Sequence, residues 1–396
     1  MAFLEDSFFG QFMNFAPHSL AQSFLNGDIE GDHVLSVTRD FGPNPGNLRM
    51  LSYVPEGIGR GAPLVVVLHG CRQTAGAYDR GTGWSQLANR FGFAVLYPEQ
   101  QRANNANVCY NWFEPEDVTR DEGEVASIAA MIRFMLREHG FDAGRVFISG
   151  LSAGGGMTAA MLATYPELFA GASIIAGLPY GLAETMQDAF GVMGQGRIRN
   201  ARDLGDRVRA GSPHRGGWPR VTLWQGDADH VVNPVNAAEL AKQWTDVHGL
   251  ADAAPEEELV GAFGQISHRI WRGTDGRPAV DLYTLPAFGH ATPIDPMAML
   301  EDARCGTPGA SPFILPGGIS SSYVMAESWG LTAGHRQTRV GRGIPPRFEN
   351  HPLWQNLMPG GMTTVNKITT ELTSPETLIG RVLRSTGIID DGKDKK

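Results

Sequence analysis

Cysteine is scarce: three occur among 396 residues, too few for a disulfide scaffold or a thiolate metal cluster. Cationic residues do not predominate either. With 33 Lys and Arg against 42 Asp and Glu, the formal charge is −9, which argues against nucleic acid as the main partner. No uninterrupted apolar segment reaches membrane length, so no transmembrane segment is expected. The opening Met1-Ala-Phe-Leu-Glu-Asp6 carries acid where a secretory leader places Lys or Arg, and its apolar run is interrupted. A soluble, cytoplasmic protein is therefore the expectation. Composition carries no signal for oligomeric state.

What is abundant is glycine, 50 residues, together with 25 prolines and 42% hydrophobic residues. Those proportions indicate a turn-rich globular protein rather than a helical bundle. Residues 1–30 read as an N-terminal arm in which Phe8, Phe9, Phe12 and Phe15 pack on the body or meet a greasy surface. Residues 31–396 read as one catalytic domain. Early antiparallel strands are expected at 33–38 and 49–54. Leu64-Val-Val-Val-Leu68 and Phe93-Ala-Val-Leu-Tyr97 are continuous apolar runs, as strands covered on both faces require.

A helix over 82–91 lies between those runs, and helical spacing recurs over 121–139. Strands at 145–149, 171–176 and 221–224 follow, with a helix at 159–163 and another at 236–248. Segments 263–272 and 280–285 are expected to form an antiparallel pair. Strand alternating with helix implies an α/β fold with a mostly parallel central sheet and helices on both faces. The excursion 180–216 exceeds an ordinary connection and is read as a cap in preference to a plain surface loop. Residues 302–396 read as a C-terminal extension with a closing helix near 374–386.

The chemistry centres on Gly150-Leu-Ser-Ala-Gly154. In a glycine-rich chain the bare G-x-S-x-G pattern is weak, but here a strand precedes it and a helix follows. A serine in that turn is a nucleophile elbow, its hydroxyl projected by a tight bend that small flanking residues permit. Such a serine needs a base, and the base needs an orienting carboxylate. Asp229 follows the strand ending at Trp224, and His290 follows the strand ending at Leu285. The order Ser152, Asp229, His290 is the one an α/β-hydrolase uses. Asp227 is the rival acid, read as a turn former; His268 is the rival base, read as part of a strand.

The oxyanion hole is assigned to the amides of Ala153, after the nucleophile, and Cys71, in the His69-Gly-Cys71 turn after an early strand. Cys71 and Cys109 follow successive strands and so could lie close together. For a cytoplasmic protein two free thiols are expected over a disulfide. Tyr110, Trp112 and Tyr180 are candidate substrate-binding residues, with packing beneath the site as the alternative. This is acyl-transfer chemistry on an ester, small or oligomeric, and it requires no metal or organic cofactor.

Several longer blocks resemble the polyhydroxybutyrate depolymerase-like esterases of the α/β-hydrolase fold. They are Leu68-His-Gly-Cys-Arg-Gln-Thr-Ala75, Cys109-Tyr-Asn-Trp-Phe113, Gly150-Leu-Ser-Ala-Gly-Gly-Gly-Met157, Ala176-Gly-Leu-Pro-Tyr-Gly181 and Gly226-Asp-Ala-Asp-His-Val-Val-Asn-Pro234. The resemblance spans about 50–300. It implies a Ser152–Asp229–His290 triad, the Cys71 amide in the oxyanion hole, and a leaning toward 3-hydroxybutyrate esters. Related feruloyl and acetylxylan esterases supply the runner-up substrates; a binding protein with a vestigial triad is the remote alternative. Two departures fall on the expected substrate wall: Tyr110 where relatives carry Trp, and Ala291-Thr-Pro-Ile-Asp-Pro296 after the histidine in place of a Trp- and Gly-rich run. With no appended binding module or linker in view, soluble oligomers and small esters are expected over crystalline polymer.

Overall fold

A computed structural model describes residues 34–261, 264–295 and 311–333. The N-terminal arm, Cys305 and the helix expected at 374–386 lie outside the described residues. A ten-stranded sheet runs through the molecule in the order β1-β2-β4-β3-β5-β6-β7-β10-β9-β8. The strands are β1 (Ser36–Thr38), β2 (Arg49–Tyr53), β3 (Leu64–Leu68), β4 (Ala94–Glu99), β5 (Val146–Leu151), β6 (Gly171–Ile175), β7 (Arg220–Gly226), β8 (Glu256–Val260), β9 (Ile266–Arg272) and β10 (Pro278–Leu285). From β4 through β3, β5, β6 and β7 to β10 every pairing is parallel, and both edges are antiparallel.

Each central strand is buried along nearly all its length. That is why they read as unbroken apolar runs rather than alternating ones: both faces are covered. Helices α1 (Ala75–Thr82), α2 (Trp84–Phe91), α3 (Pro115–Val118), α4 (Gly123–His139), α5 (Ala153–Thr164), α6 (Met186–Gln195), α7 (Ala201–Ala210), α8 (Val235–Val247) and α9 (Ser321–Ser328) follow in chain order. One large cluster, with α4, α5 and α8 over one face, includes Ile128, Met157, Leu162 and Trp244. The other, including Trp84, Phe93, Trp329 and Met325, covers the opposite face. Each large apolar side chain buried this way contributes about 1.5–3 kcal/mol of hydrophobic driving force.

Three local differences from expectation have clear causes. The helix expected at 82–91 is α2, which starts at Trp84 because Gly83 takes the left-handed conformation (φ 75°) and separates it from α1, a preceding helix not among those expected. The helix expected at 159–163 begins at Ala153, directly after the serine, since Gly154–Gly156 are recruited into it despite their low helix propensity. Strand β8, Glu-Glu-Glu-Leu-Val, has no apolar pattern to announce it, since its residues are mostly acidic and exposed; it sits on the sheet edge, where charge is tolerated. A separate parallel pair, β11 (Thr292–Ile294) and β12 (Ile314–Pro316), joins the segment after β10 to the C-terminal part of the chain. Among the described residues no helix is long and apolar enough to cross a membrane.

Candidate active site

The C-terminal ends of β3, β5, β7 and β10 converge on one edge of the sheet. The strand order changes direction beside β3, with β4 on one side and β5 on the other, and such switch points open a crevice at that edge. Ser152 stands directly after β5 with φ 58° and ψ −119°, a conformation that costs a non-glycine residue energy and persists only when its surroundings enforce it. Here the Ser152 amide donates to the Ile175 carbonyl (2.9 Å), and its carbonyl accepts from the Gly156 amide (2.9 Å). The flanking glycines are needed for close approach. A Cβ on Gly150 would lie 2.1 Å from the Gly154 carbonyl oxygen, and one on Gly154 would lie 2.5 Å from that of His69. The elbow is therefore both bent and wedged against the loop after β3.

The Asp229 and His290 loops are clamped together. Asp227 N donates to Leu285 O (3.0 Å), Ala228 N to Phe288 O (3.1 Å), and Ala287 N to the Asp227 carboxylate (2.6 Å). Asp227 thus shapes the turn, as expected, and Asp229 faces the histidine. Its Oδ2 accepts from His290 Nδ1 at 2.8 Å and from Gln225 Nε2 at 3.0 Å. Its Oδ1 accepts from the Val231 and Val232 amides at 2.8 and 2.9 Å. Burial is the largest single influence on this carboxyl and would raise its pKa. The hydrogen bond and charge of His290, with the two amides, outweigh that and hold it below the usual carboxylate range. A carboxylate accepts Nδ1–H, leaving Nε2 as the imidazole's free basic atom. Ser152, Asp229 and His290 are each at least 92% buried, with exposures of 8%, 3% and 8%.

His268, the rival base, lies mid-strand in β9. Its Nδ1 pairs with Glu258 (2.9 Å) and its Nε2 with Asp281 (3.2 Å), and its ring stacks on Tyr283 with centroids 3.9 Å apart. Both nitrogens are engaged within the sheet.

The loop after β3 is held from several sides. His69 is buried, and burial, its dominant influence, keeps its pKa low. As a neutral ring it donates Nδ1–H to Gly70 O (2.8 Å) and accepts at Nε2 from Gln100 N (3.2 Å). Gly70 N donates to Gln73 Oε1 (2.7 Å). Gln73 Nε2 in turn donates to Ser311 Oγ (3.0 Å) and the Pro312 carbonyl. Among the described residues neither the Cys71 nor the Ala153 amide donates a hydrogen bond, so both remain available to an incoming oxyanion.

Cys71 and Cys109 are bonded to each other, contrary to the two free thiols expected. Their strands are sheet neighbours, and Arg72 N donates to Asn107 O (2.8 Å), which brings the two loops side by side. Neither thiol is free for other chemistry. The bridge closes a 38-residue separation, and the chain-entropy model assigns it about 4 kcal/mol of stability. Reduction is expected to lower Tm and to cut turnover, since the loop after β3, beside the serine elbow, loses its tether. Melting curves and initial rates with and without reductant, alongside a thiol count, check this; an unchanged Tm after complete reduction would contradict it.

The substrate-binding candidates separate. Tyr110 is wholly buried (0% exposed) in the main core, its hydroxyl donating to the Pro98 carbonyl and its ring 5.0 Å from His69. Buried and bonded in this way, it supports the loop from beneath rather than facing a substrate. Trp112 belongs to a small apolar cluster with Phe113, Ala153, Leu178, Leu182 and Val232, and a Cβ on Gly156 would lie 2.8 Å from its ring. It therefore borders the elbow. Tyr180 instead packs against the main core. Its backbone exchanges hydrogen bonds with Gln243 (3.0 and 3.1 Å) and its hydroxyl donates to Val118 O (3.3 Å), so it anchors the start of the 180–216 excursion. Helices α6 and α7 of that excursion place Ala189, Val192 and Leu204 in the cluster with Trp112 and Ala153.

Three residues at the site were not foreseen. Gln225 supports Asp229, Gln73 braces the loop after β3, and the ring of Phe313 meets that of His290 edge-on at 5.5 Å. Gln225 had a readable signal, a polar residue inside an apolar strand two positions before the acid loop. Phe313 had none, since its approach depends on the pairing of β12 with β11.

Comparison with known proteins places the chain among esterases. Residues 48–260 match the esterase PHB depolymerase family model. Poly(3-hydroxyalkanoate) depolymerase C of Paucimonas lemoignei is 43% identical over 300 residues, covering 76% of this chain and 70% of that protein. Feruloyl esterase B of Neurospora crassa is 31% identical, covering 67% and 91%. The acetyl xylan esterase structure from Aspergillus awamori superposes with a TM-score of 0.58 at 28% identity, covering 65% of this chain and 93% of that one. The chain belongs to the PHB depolymerase esterase family and is a carboxylic ester hydrolase of the α/β-hydrolase fold.

Proposed function

We propose that this enzyme hydrolyses short-chain 3-hydroxyalkanoate esters, 3-hydroxybutyrate oligomers or polymer, through a Ser152–His290–Asp229 triad. The observation that carries the mechanism is the buried 2.8 Å Asp229–His290 pair on the same sheet edge as a strained serine elbow. The substrate class rests on similarity to the depolymerase. His290 Nε2 takes the Ser152 proton as the hydroxyl attacks the ester carbonyl. The Cys71 and Ala153 amides receive the oxyanion. His290 then protonates the departing alcohol, and in the second half activates water to release the acid from the acyl-enzyme, while Asp229 stays ionised. The Cys71–Cys109 bond favours work in a thiol-oxidising compartment over the cytoplasmic placement expected from sequence.

Initial rates on a matched panel test the substrate class: 3-hydroxybutyrate dimer and trimer, short p-nitrophenyl esters, methyl ferulate and an acetylated sugar. The expected result is the highest kcat/KM on the hydroxybutyrate oligomers. A preference for the acetylated sugar or the ferulate would move the enzyme to the carbohydrate-ester reading, which the similarity to acetylxylan and feruloyl esterases favours as second.

A further inference from the structure

Phe313 is an aromatic residue with positive φ (60°), and 37% of it is exposed. A bulky side chain is an outlier there and needs enforcement from its surroundings. The enforcement is visible on both sides. Before it, Gln73 holds Ser311 and Pro312. At Phe313 itself, the carbonyl accepts from Thr292 N at 2.8 Å. After it, Ile314 is 2% exposed and set against Gly81, where a Cβ would lie 2.0 Å from its Cδ1. The chain thus spends conformational strain to present a phenyl ring that builds little core. The ring stands edge-on to the His290 imidazole, centroids 5.5 Å apart and planes at 71°. Leu315, 43% exposed, continues the apolar surface along β12.

We propose that Phe313 is a specificity-determining residue that forms the apolar wall for the alcohol portion of the ester. The inference rests on the triad reading above. In that reading His290 hands its proton to the leaving oxygen, so the first carbons of the alcohol lie next to the imidazole. A fixed, half-open ring against that imidazole meets those carbons rather than the acyl chain bonded to Ser152. An alcohol bearing an alkyl chain gains contact with the ring, and methanol gains almost none.

The test compares n-butyl and methyl esters of 3-hydroxybutyrate with wild type, Phe313→Leu and Phe313→Gly. Glycine removes the ring and relieves the positive φ together, so that variant is expected to fold with a Tm at or above wild type. The butyl-to-methyl ratio of kcat/KM is expected to fall about tenfold in Phe313→Gly, the low end for a hydrophobic pocket contact, and less in Phe313→Leu. A second series, one alcohol with acyl chains from acetyl to hexanoyl, is expected to keep its wild-type ranking. An unchanged butyl-to-methyl ratio overturns the proposal. So does a change that follows acyl length, or an equal loss on all esters with a displaced pH profile, which would make Phe313 a positioning residue for His290. A fluorophosphonate that fails to label Ser152 in the wild-type protein overturns the triad instead, so the two failures are distinguishable.

Discussion

Ser152→Ala is expected to lower kcat on 3-hydroxybutyrate trimer by on the order of 10⁶-fold while leaving a folded protein. In the proposed mechanism the hydroxyl is the nucleophile. Cys71, the nearest sulfur in the oxyanion loop, is consumed in its bond to Cys109. Alanine inherits the same strained backbone (φ 58°), and both anchors of the elbow, Ser152 N to Ile175 O and Gly156 N to Ser152 O, are main-chain bonds that the substitution leaves in place. Tm should therefore stay close to wild type. Residual activity above the uncatalysed rate is expected, because the Cys71 and Ala153 amides still favour an oxyanion formed by direct water attack. Fluorophosphonate labelling should vanish. A variant retaining a tenth of wild-type turnover would show that another residue is the nucleophile.

Asp229→Asn is expected to lower kcat by about 10⁴-fold. The substitution is nearly isosteric, and asparagine Oδ1 can keep accepting from the Val231 and Val232 amides. Its Nδ2, however, would face His290 Nδ1 and Gln225 Nε2, which both donate to Asp229 now. Two donors cannot bond, so the imidazole either moves its proton to Nε2 or turns away. In both cases the base toward Ser152 is lost. Stability should respond to pH in a defined sense. The Asp229 carboxyl is held below its ordinary range in the fold, so its contribution is present above the unfolded-state carboxylate pKa and is lost as pH falls through the lowered one. Wild type should thus exceed the Asn variant in Tm near neutrality, with the gap narrowing in acid. Turnover of Asp229→Asn within tenfold of wild type would reassign the acid.

The parts of the site that were legible in the sequence are those that local backbone geometry encodes. Gly150 and Gly154 flank Ser152 because a Cβ at either would strike neighbouring backbone, and that need is written in the pentapeptide. The central strands announce themselves as apolar runs because both faces are covered. Asp229 and His290 could be chosen because each follows the end of a parallel strand, and parallel strands deliver their C-terminal loops to one edge. Strand β8 escaped notice for the opposite reason: an exposed edge strand needs no apolar pattern.

What tertiary structure decided concerns pairs of residues that no local period connects. Whether Cys71 meets Cys109 depends on β3 and β4 lying side by side. Tyr110 and Trp112, two positions apart, end respectively in the main core and beside the elbow, a difference no local pattern announces. Phe313 reaches His290 across 23 residues of chain because β12 pairs with β11 and Gln73 grips the segment before it. Strand periodicity and turn chemistry act over a few residues, and so they can single out Ser152, Asp229 and His290 as candidates. The contact of Phe313 with His290 is assembled from distant loops, and only the packing of the folded chain brings those together.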